Sequence, residues 1–231
     1  MEVFCGCSGW YYDWNLERSL DWYVKNSKLN AIELNASFYR FPFPNQVKSW
    51  AKKGKSLRWS IKVNRLITHQ FKFSTKAFQI WKKFEALFEP IKENIDFYLF
   101  QLPPSCSEKM KDKIAKFYKK TKLKERFALE PRHQTWFSTE IENWAKNLGL
   151  TLVSVDSPDF PKVIFNSDNL VYVRMHGRTF WYSHCYSGKE LNEIAEKITA
   201  INPKKAYIFF NNDHDMLKNA QKMFKTLKQK N

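Results

Sequence analysis

The sequence predicts an α/β protein, a single (β/α)8 barrel of the TIM type that spans residues 1–231. Eight runs rich in β-branched and aromatic residues are spread along the chain, helical patterns lie between most of them, and polar residues gather where the runs end. Alternating strands and helices indicate a parallel sheet with helical crossovers. A chain of 231 residues, 43% hydrophobic and 17% aromatic, suits one closed barrel better than an open doubly wound sheet.

The predicted strands are bounded by turn-forming or polar residues. In chain order they are Val3–Ser8, Ala31–Ser37, Arg58–Asn64, Phe97–Leu102, Phe127–Arg132, Leu150–Asp156, Leu170–Gly177 and Ala206–Asn211. Between the sixth and seventh strands, Ser157–Asn169 contains Pro158 and Pro161 and has no helical pattern. We therefore expect one irregular crossover at that point.

Several predicted helices carry start and stop signals. Ser107, Ser138 and Asp213 are expected N-caps, Gly149 is expected to end a helix, and Ser187-Gly-Lys-Glu190 predicts a capping box. The predicted helices are Leu16–Asn26, Asn45–Lys53, Thr75–Phe88, Ser107–Lys120, Thr139–Asn147, a helix from the capping box to Ile201, and His214–Leu227.

Lysine accounts for most of the positive charge. The chain has 39 lysine and arginine residues against 23 acidic residues, a net charge of +16. Many lysines fall on predicted outer helix faces, for example Lys113 and Lys116, which favours a solvated surface. The same excess is typical of proteins that bind nucleic acid. The expected partner is therefore a small anionic substrate or nucleic acid, and the oligomeric state is not predicted.

The cysteines and the N-terminus indicate a soluble, cytoplasmic protein without a membrane partner. Cys5, Cys7, Cys106 and Cys185 lack the spacing of a zinc knuckle and are expected to be reduced thiols. No signal peptide precedes the first strand. No uncharged apolar run approaches the roughly 20 residues that a membrane span requires.

Polar side chains share one face of most strands, toward the C-terminal end. In the second strand Ile32 and Leu34 take one face and Glu33 and Asn35 the other, because alternate residues point to opposite sides. The same rule predicts further residues on the polar face of their strands: Lys62, Asn64, Glu130, Arg132, Ser154, Asp156, Arg174 and His176. Three other strands end on a polar residue: Ser8, Gln101 and Asn211. All the histidines, His69, His133, His176, His184 and His214, follow strand ends on this rim, where barrel enzymes assemble their sites.

Two interpretations of this polar rim stay open. The charges could form a structural network inside the barrel, because buried charges must be paired. They could instead form a binding or catalytic site. The aromatic residues that follow the strands, among them Trp10, Tyr39, Trp136, Trp181 and Tyr182, could stack on a ligand or simply cover the barrel.

Seven successive motifs resemble those of the DUF72 family, also called YecE-like. They are Gly6-Cys-Ser-Gly-Trp10, Glu33-Leu-Asn-Ala-Ser-Phe-Tyr39, Lys62 with Arg65 and Ile67-Thr-His69, Gln101-Leu-Pro-Pro-Ser105, Glu130-Pro-Arg-His133 with Trp136, Tyr172-Val-Arg-Met-His-Gly177 and Phe210-Asn-Asn-Asp213. The resemblance covers nearly the whole chain and implies a single TIM-type barrel. It implies no secure activity, because the family is named as a domain of unknown function. Cys7 stands where the family commonly has Thr.

The first functional hypothesis is an enzyme that acts on a phosphate-bearing or other anionic substrate, for example by phosphoester hydrolysis. The candidate catalytic residues are Glu33, Glu130, His176, His69 and Asp156, with a glutamate as general base and a histidine moving the proton. The candidate substrate-binding residues are Ser8, Trp10, Asn35, Tyr39, Lys62, Arg65, Gln101, Arg132, His133, Trp136, Arg174, Asn211, Asn212 and Asp213. Among these, the lysine and arginines suit an anion.

The same residues bear on whether a cofactor is bound, and they also allow a second functional hypothesis. A divalent metal held by Glu130, Asp156 and His176 stays open, although no H-x-H or H-E-x-x-H spacing occurs. No G-x-G-x-x-G motif occurs, so no dinucleotide is expected. The alternative function is a non-catalytic nucleic-acid-binding protein, with phosphates on lysine and arginine and bases on loop aromatics.

Overall fold

Parallel strands form the wall of a barrel. A computed structural model describes residues 1–230, and its strand segments all belong to one nine-stranded parallel sheet. They are β1 (Glu2–Cys7), β2 (Ala31–Leu34), β3 (Arg58–Lys62), β4 (Ile95–Gln101), β5 (Phe127–Glu130), β6 (Thr151–Leu152), β7 (Ser154–Asp156), β8 (Leu170–Met175) and β9 (Lys205–Phe210). The order along the sheet is β6-β5-β4-β3-β2-β1-β9-β8-β7.

The sheet closes because the sixth predicted strand is divided in two. β6 pairs with β5 and β7 pairs with β8, and only Val153 separates the two segments. The backbone N of Val153 donates to Leu129 O at 2.9 Å, which continues the ladder towards β7. The two segments at the ends of the sheet are therefore one interrupted strand, and the predicted fold class, a (β/α)8 barrel, is confirmed.

Helices connect most of the strands on the outside. They are α1 (Leu20–Asn26), α2 (Pro44–Lys53), α3 (Thr75–Leu87), α4 (Lys111–Thr121), α5 (Thr139–Leu148), α6 (Gly188–Ile201) and α7 (Met216–Lys230). The predicted crossover at residues 157–169 is irregular, as expected. No helix within residues 1–230 combines the length and the apolar character needed to cross a membrane.

The predicted helix signals are confirmed in part. Ser138 accepts from the backbone of α5, Gly149 ends that helix in the left-handed conformation, and Ser187 forms the capping box of α6. Ser107 and Asp213 make no capping hydrogen bond, and those two predictions are wrong. Short 3-10 turns begin at Glu108 and Asp213 and lead into α4 and α7, so the α-helices begin later than the expected caps.

Two apolar layers lie on the two sides of the barrel wall. The larger fills the space between strands and helices and includes Ile32, Leu34, Ile61 and Val173. The smaller fills the barrel interior with Phe4, Ala31, Phe97, Leu99, Ala128, Val153, Tyr172, Tyr207 and Phe209. Most interior residues belong to the N-terminal halves of their strands. The C-terminal end of the interior is thus left to polar side chains.

Gly6 allows β1 and β2 to approach each other closely. A Cβ atom at this position would lie 2.4 Å from Ala31 O and 3.0 Å from the Phe209 ring. The backbone of β2 would have to move, and such overpacking costs about 1–3 kcal/mol.

We therefore expect Gly6→Ala to lower the free energy of unfolding by about 1–3 kcal/mol in urea denaturation. Gly149→Asn is the control: the nearest atom to a Cβ there is 3.6 Å away, and asparagine tolerates the left-handed conformation. Equal stability of Gly6→Ala and the wild type would show that the strands do not require this close contact.

Candidate functional site

A cluster of charged side chains lies directly above the interior apolar layer. Glu33 follows Ala31, Glu130 follows Ala128 and Arg174 follows Tyr172, each two positions later on the inner face. Glu33, Glu130 and Arg174 are all 0% exposed. Charges buried to this degree persist only when they are paired and hydrogen bonded.

Arg174 is at the centre of this cluster. Its Nε donates to Glu33 Oε2 at 3.0 Å and its Nη2 to Glu33 Oε1 at 2.5 Å, a two-pronged grip. Its Nη1 donates to Glu130 Oε2 at 2.7 Å. Ser8 Oγ and Tyr172 Oη also donate to Glu33, at 2.6 and 2.8 Å. The Glu33 carboxylate is therefore surrounded by donors, which argues against its predicted role as a general base.

Glu130 ties a second guanidinium to the cluster. Arg132 Nε donates to Glu130 Oε1 at 2.8 Å, and Arg132 Nη2 lies 3.3 Å from Gln101 Oε1. His176 Nε2 lies 3.1 Å from Glu130 Oε1, and Asn211 Nδ2 lies 3.3 Å from His176 Nδ1. Nε2 also lies 3.2 Å from Arg132 Nη2, so the His176 ring is held between Asn211, Arg132 and Glu130.

The neighbouring charges set the protonation states of Glu130 and His176. Burial alone would raise the pKa of Glu130, but Arg132 and Arg174 hold this pKa well below its usual value. Burial and the same arginines lower the pKa of His176 well below its usual value, so the ring is neutral at pH 7. Glu130 is therefore a weak base at neutral pH, which argues against its predicted role in proton abstraction.

Lys62 is the cation of the cluster that lacks a counter-ion. Its side chain is 7% exposed, and its Nζ lies 4.4 Å from the centre of the Phe38 ring. Among the described residues its ammonium group makes no hydrogen bond and no ion pair. Burial and the charge of Arg174 lower the pKa of Lys62 to about 7, against the opposing effect of Glu130 and Glu33. The neutral amine is therefore accessible near pH 7, far below the range in which an exposed lysine loses its proton.

The turn after β3 brings His69 next to Lys62. Leu66–Gln70 forms one turn of π-helix, a rare conformation that is frequent at functional sites. The His69 ring stands edge-on to Phe38 with the centroids 5.0 Å apart, and its Nδ1 lies 2.8 Å from Thr68 Oγ1. Burial and the charge of Lys62 lower the pKa of His69 to about 4, so it is neutral at pH 7.

An open cleft of about 420 Å³ adjoins the cluster on the same rim. Its lining consists of Pro104, Arg132, His133, Gln134, Asp159, Phe160 and Trp181. The Arg132 guanidinium lies 4.5 Å from the centre of the Trp181 ring, and Arg132 Nη1 lies 3.4 Å from the Tyr182 hydroxyl. Arg132 therefore joins the buried charges to a space that a solute can enter.

Asp156 does not face the cluster, and the prediction of its face is wrong. β7 pairs with β8 so that Asp156 lies beside Met175 and Val155 lies beside Arg174. Met175 belongs to the layer between strands and helices, so Asp156 points outward. The strand follows the expected alternation, but its apolar residues face the interior, where Val153 joins the inner layer.

The reason for this reversal is the set of partners that Asp156 finds outside the wall. It accepts from Arg178 Nε and Nη2, each at 3.1 Å, and from Tyr186 Oη at 2.7 Å. Glu130 and Asp156 therefore lie on opposite sides of the wall and cannot share a metal ion with His176. Within residues 1–230, no three His, Cys, Asp or Glu side chains are arranged to hold a metal ion.

Two aromatic residues expected at the site pack elsewhere. Trp136 is fully buried, and its Nε1 donates to Cys106 O at 2.7 Å. Trp10 packs edge-on against Trp50 and Trp59, with ring centroids 5.6 and 6.0 Å apart. Both side chains are part of the layer between strands and helices, because large aromatic surfaces are stabilised there by burial.

The remaining predicted residues divide between the cluster and its surroundings. Tyr39 is 71% exposed, Arg65 is exposed, and Asn212 is buried against His184 O. Asp213 begins the turn before α7. The cluster and its rim bring together Ser8, Glu33, Asn35, Lys62, His69, Gln101, Glu130, Arg132, His133, Arg174, His176 and Asn211.

Sequence reasoning missed Ser60 and the role of Tyr172. Ser60 Oγ lies 2.7 Å from Tyr172 Oη, which donates to Glu33. These residues precede Lys62 and Arg174 by two positions on the inner face, so the alternation that indicated the charged residues also indicated their supports. Phe38 gave no such signal, because its contact with Lys62 comes from the turn after β2.

Comparisons with known proteins identify relatives of the chain but no activity. A family model described as "Protein of unknown function DUF72" matches residues 4–231. A DUF72 family protein of Enterococcus faecalis is 21% identical, with a TM-score of 0.82 over 98% of this chain and 95% of its own chain. A DUF72 family protein of Thermotoga maritima is 23% identical, with a TM-score of 0.79 over 99% of this chain and 100% of its own chain. A xylose isomerase domain-containing protein of Salmonella typhimurium is 11% identical, with a TM-score of 0.64 over 98% of both chains. These likenesses show the fold. No curated protein matches the chain.

Replacing Lys62 by methionine should stabilise the protein. The pKa of Lys62 is about 7 in the folded protein, below the value of about 10.4 for an unfolded lysine. The cost of burying the ammonium group is therefore fully present below pH 7 and disappears as the pH rises towards 10.4. We expect Lys62→Met to gain roughly 2–4 kcal/mol at pH 6, and the gain to fall towards zero near pH 10.

Denaturant titrations between pH 6 and pH 10 measure this effect. Lys76→Met is the matched control, because Lys76 is exposed and its Nζ also lies over a phenylalanine ring, 4.5 Å from the centre of Phe71. The control should change stability little at every pH. A loss of stability in Lys62→Met at pH 6 would contradict the unpaired state of this lysine.

Proposed function

The chain belongs to the DUF72 family, and we propose that it is an enzyme that binds a small anionic substrate, bearing a carboxylate or a phosphate, at the C-terminal mouth of the barrel. One observation carries this proposal: Lys62 is buried in the site without a counter-ion. We assign the amine of Lys62 as the group that reacts with the bound substrate.

The charges of the cluster support an anionic ligand. The carboxylates of Glu33 and Glu130 are matched by the guanidiniums of Arg132 and Arg174. Protonated Lys62 leaves this group with an excess of one positive charge. Because an unpaired buried charge is costly, a bound anion next to Lys62 would lower the free energy of the site.

Arg132 supplies the second contact to the anion. Its Nε and Nη2 both lie 2.8 Å from Glu130 Oε1, whereas Nη1 has only a long contact, 3.4 Å to the Tyr182 hydroxyl. One guanidinium nitrogen, Nη1, is thus available at the edge of the cleft. Charge-assisted hydrogen bonds of this kind suit carboxylate and phosphate groups.

The reactivity that we propose for the site comes from the lowered pKa of the Lys62 amine. An amine whose pKa is lowered to about 7 can take a proton or attack an electrophile under physiological conditions, whereas Glu130 is held as a weak base. Phosphoester hydrolysis is one reaction of this kind, with Lys62 taking a proton from the attacking water. Glu33, Glu130 and Arg174 then hold the geometry of the site and are positioning residues.

Sulfate binding tests the proposed function, because the charge of sulfate does not change near neutral pH. Calorimetry at pH 6 should detect sulfate binding to the wild type. Affinity should fall as the pH rises through about 7, since Lys62 loses its charge in that range. Lys62→Met should bind about tenfold or more weakly at pH 6 and lose the pH dependence.

Lys76→Met should bind sulfate as the wild type does. Phosphate monoesters and 2-oxo acids are then screened for turnover, which should vanish in Lys62→Met although that variant is at least as stable. Absence of sulfate binding to the wild type at pH 6, or equal affinity in Lys62→Met, would refute the proposed site.

A second candidate, non-catalytic binding of nucleic acid, is favoured by one surface. Helix α7 carries Lys218, Lys222, Lys225, Lys228 and Lys230 and no acidic residue. Among the described residues only Lys230 of this set has an ion pair, with Glu196. A groove of about 450 Å³ beside the helix is lined by Lys28, Gln221, Phe224, Lys225, Lys228 and Gln229. Lysine with an aromatic ring suits a nucleic-acid strand.

Fluorescence anisotropy with a single-stranded oligonucleotide measures this second candidate. If α7 binds the phosphates, replacing Lys222, Lys225 and Lys228 by glutamate should abolish binding and flatten its salt dependence. Replacing the α4 residues Lys113, Lys116 and Lys119 by glutamate changes the net charge equally and is the control. Equal losses in both triple variants would indicate attraction by net charge, without a binding surface on α7.

A further inference from the structure

The surroundings of Lys62 fit a nucleophilic amine better than a binding cation. The Nζ atom of Lys62 lies over the Phe38 ring, 4.4 Å from its centre, and the charges of the barrel interior act on it. The charged and titratable groups that act on it are Glu33 from β2, Glu130 from β5, Arg132 after β5, Arg174 from β8 and His69 from the π-turn. Both carboxylates already hold guanidiniums, so Lys62 has cations nearby and no carboxylate of its own.

Desolvation and neighbouring cations are the two features that turn a lysine into a nucleophile at neutral pH. Lys62 has both, since it is almost fully buried and the charge of Arg174 acts on it. A buried lysine that served only to hold an anion would be expected to lie next to a carboxylate, which would keep it protonated.

We infer that the substrate is a carbonyl compound that also bears the anionic group, and that Lys62 forms an imine with its carbonyl carbon. This inference rests on the proposed function, because Arg132 holds the anionic group while the neutral amine of Lys62 attacks, and the protonated imine then restores the positive charge next to the anion. It narrows the substrate class to oxo acids and phosphorylated aldehydes or ketones.

The chemical step balances without any further reactant. The lone pair of neutral Lys62 Nζ adds to the carbonyl carbon, and the carbonyl oxygen becomes a hydroxyl as protons move from nitrogen to oxygen. The hydroxyl then takes one proton from the solvent, the carbon–oxygen bond breaks, water leaves, and a protonated imine remains. This cation draws electrons from the bonds next to it, so that a C–H or C–C bond at the neighbouring carbon can break, and water later restores the amine.

His69 is placed to assist the proton transfers. Its neutral ring shares the Phe38 surface with Lys62. Its Nδ1 is engaged by Thr68 Oγ1 at 2.8 Å, which leaves Nε2 for the reacting groups. The neutral ring can take a proton from the nitrogen of the adduct and return that proton to the hydroxyl group that leaves as water.

Borohydride reduction tests the inference on the full-length protein. The protein is incubated at pH 7.5 with pyruvate, with dihydroxyacetone phosphate or with acetone, reduced, and digested for peptide mass analysis. The Lys62 peptide should carry the reduced pyruvate or dihydroxyacetone phosphate adduct at least about tenfold more than the Lys76 peptide, because a lower pKa raises the fraction of neutral amine. Acetone, which lacks the anion, should label Lys62 at least about tenfold less than pyruvate.

Two variants separate the outcomes. Lys62→Met should lose the specific adduct, whereas Lys76→Met should keep it. If sulfate binds as proposed but no carbonyl probe labels Lys62 above the other lysines, the imine is wrong and the anion site stands. If neither sulfate nor any carbonyl probe engages Lys62, the proposed function itself fails.

Discussion

The contact on which the site depends is the buried guanidinium of Arg174 between Glu33 and Glu130. All three side chains are 0% exposed, so each would be strongly destabilising alone. Together they link β2, β5 and β8 across the interior, directly above the apolar layer that includes Tyr172 and Ala128. At the C-terminal end of the strands, the barrel interior is therefore held together by hydrogen bonds of fixed direction. At the N-terminal end, apolar packing holds the interior together. A site built on such a network has little freedom to rearrange.

This network also determines which groups can react. Glu33 and Glu130 form ion pairs with Arg174 and Arg132. These carboxylates, which the sequence indicates as general bases, therefore position the other groups of the site. Burial and the charges of Arg132 and Arg174 hold the pKa of His176 well below its usual value, so its ring is neutral at pH 7. The reactive group is the one that the network leaves out, Lys62, whose amine is exposed to the field of the arginines without a carboxylate of its own.

The fold and most of the cluster could be predicted because both follow from short-range patterns. Alternation along a strand correctly assigned Glu33, Lys62, Glu130 and Arg174 to one face, since each of those strands carries apolar residues on the other. The same rule failed for Asp156. Its strand is apolar towards the interior and polar outward, because Arg178 and Tyr186 meet it from outside. Partners that come from a distant loop leave no periodic signal in the strand itself.

That one reversal changes the interpretation of the whole site. With Asp156 on the inner face, three carboxylates would have faced Lys62, Arg132 and Arg174, and the charges would have balanced as a purely structural network. With Asp156 turned outward and paired with Arg178, two carboxylates remain for three cations. The arginines take both, because a guanidinium binds a carboxylate with two parallel hydrogen bonds and a lysine cannot. The excess charge must then fall on Lys62, which is why the lysine, and neither arginine, is available for chemistry.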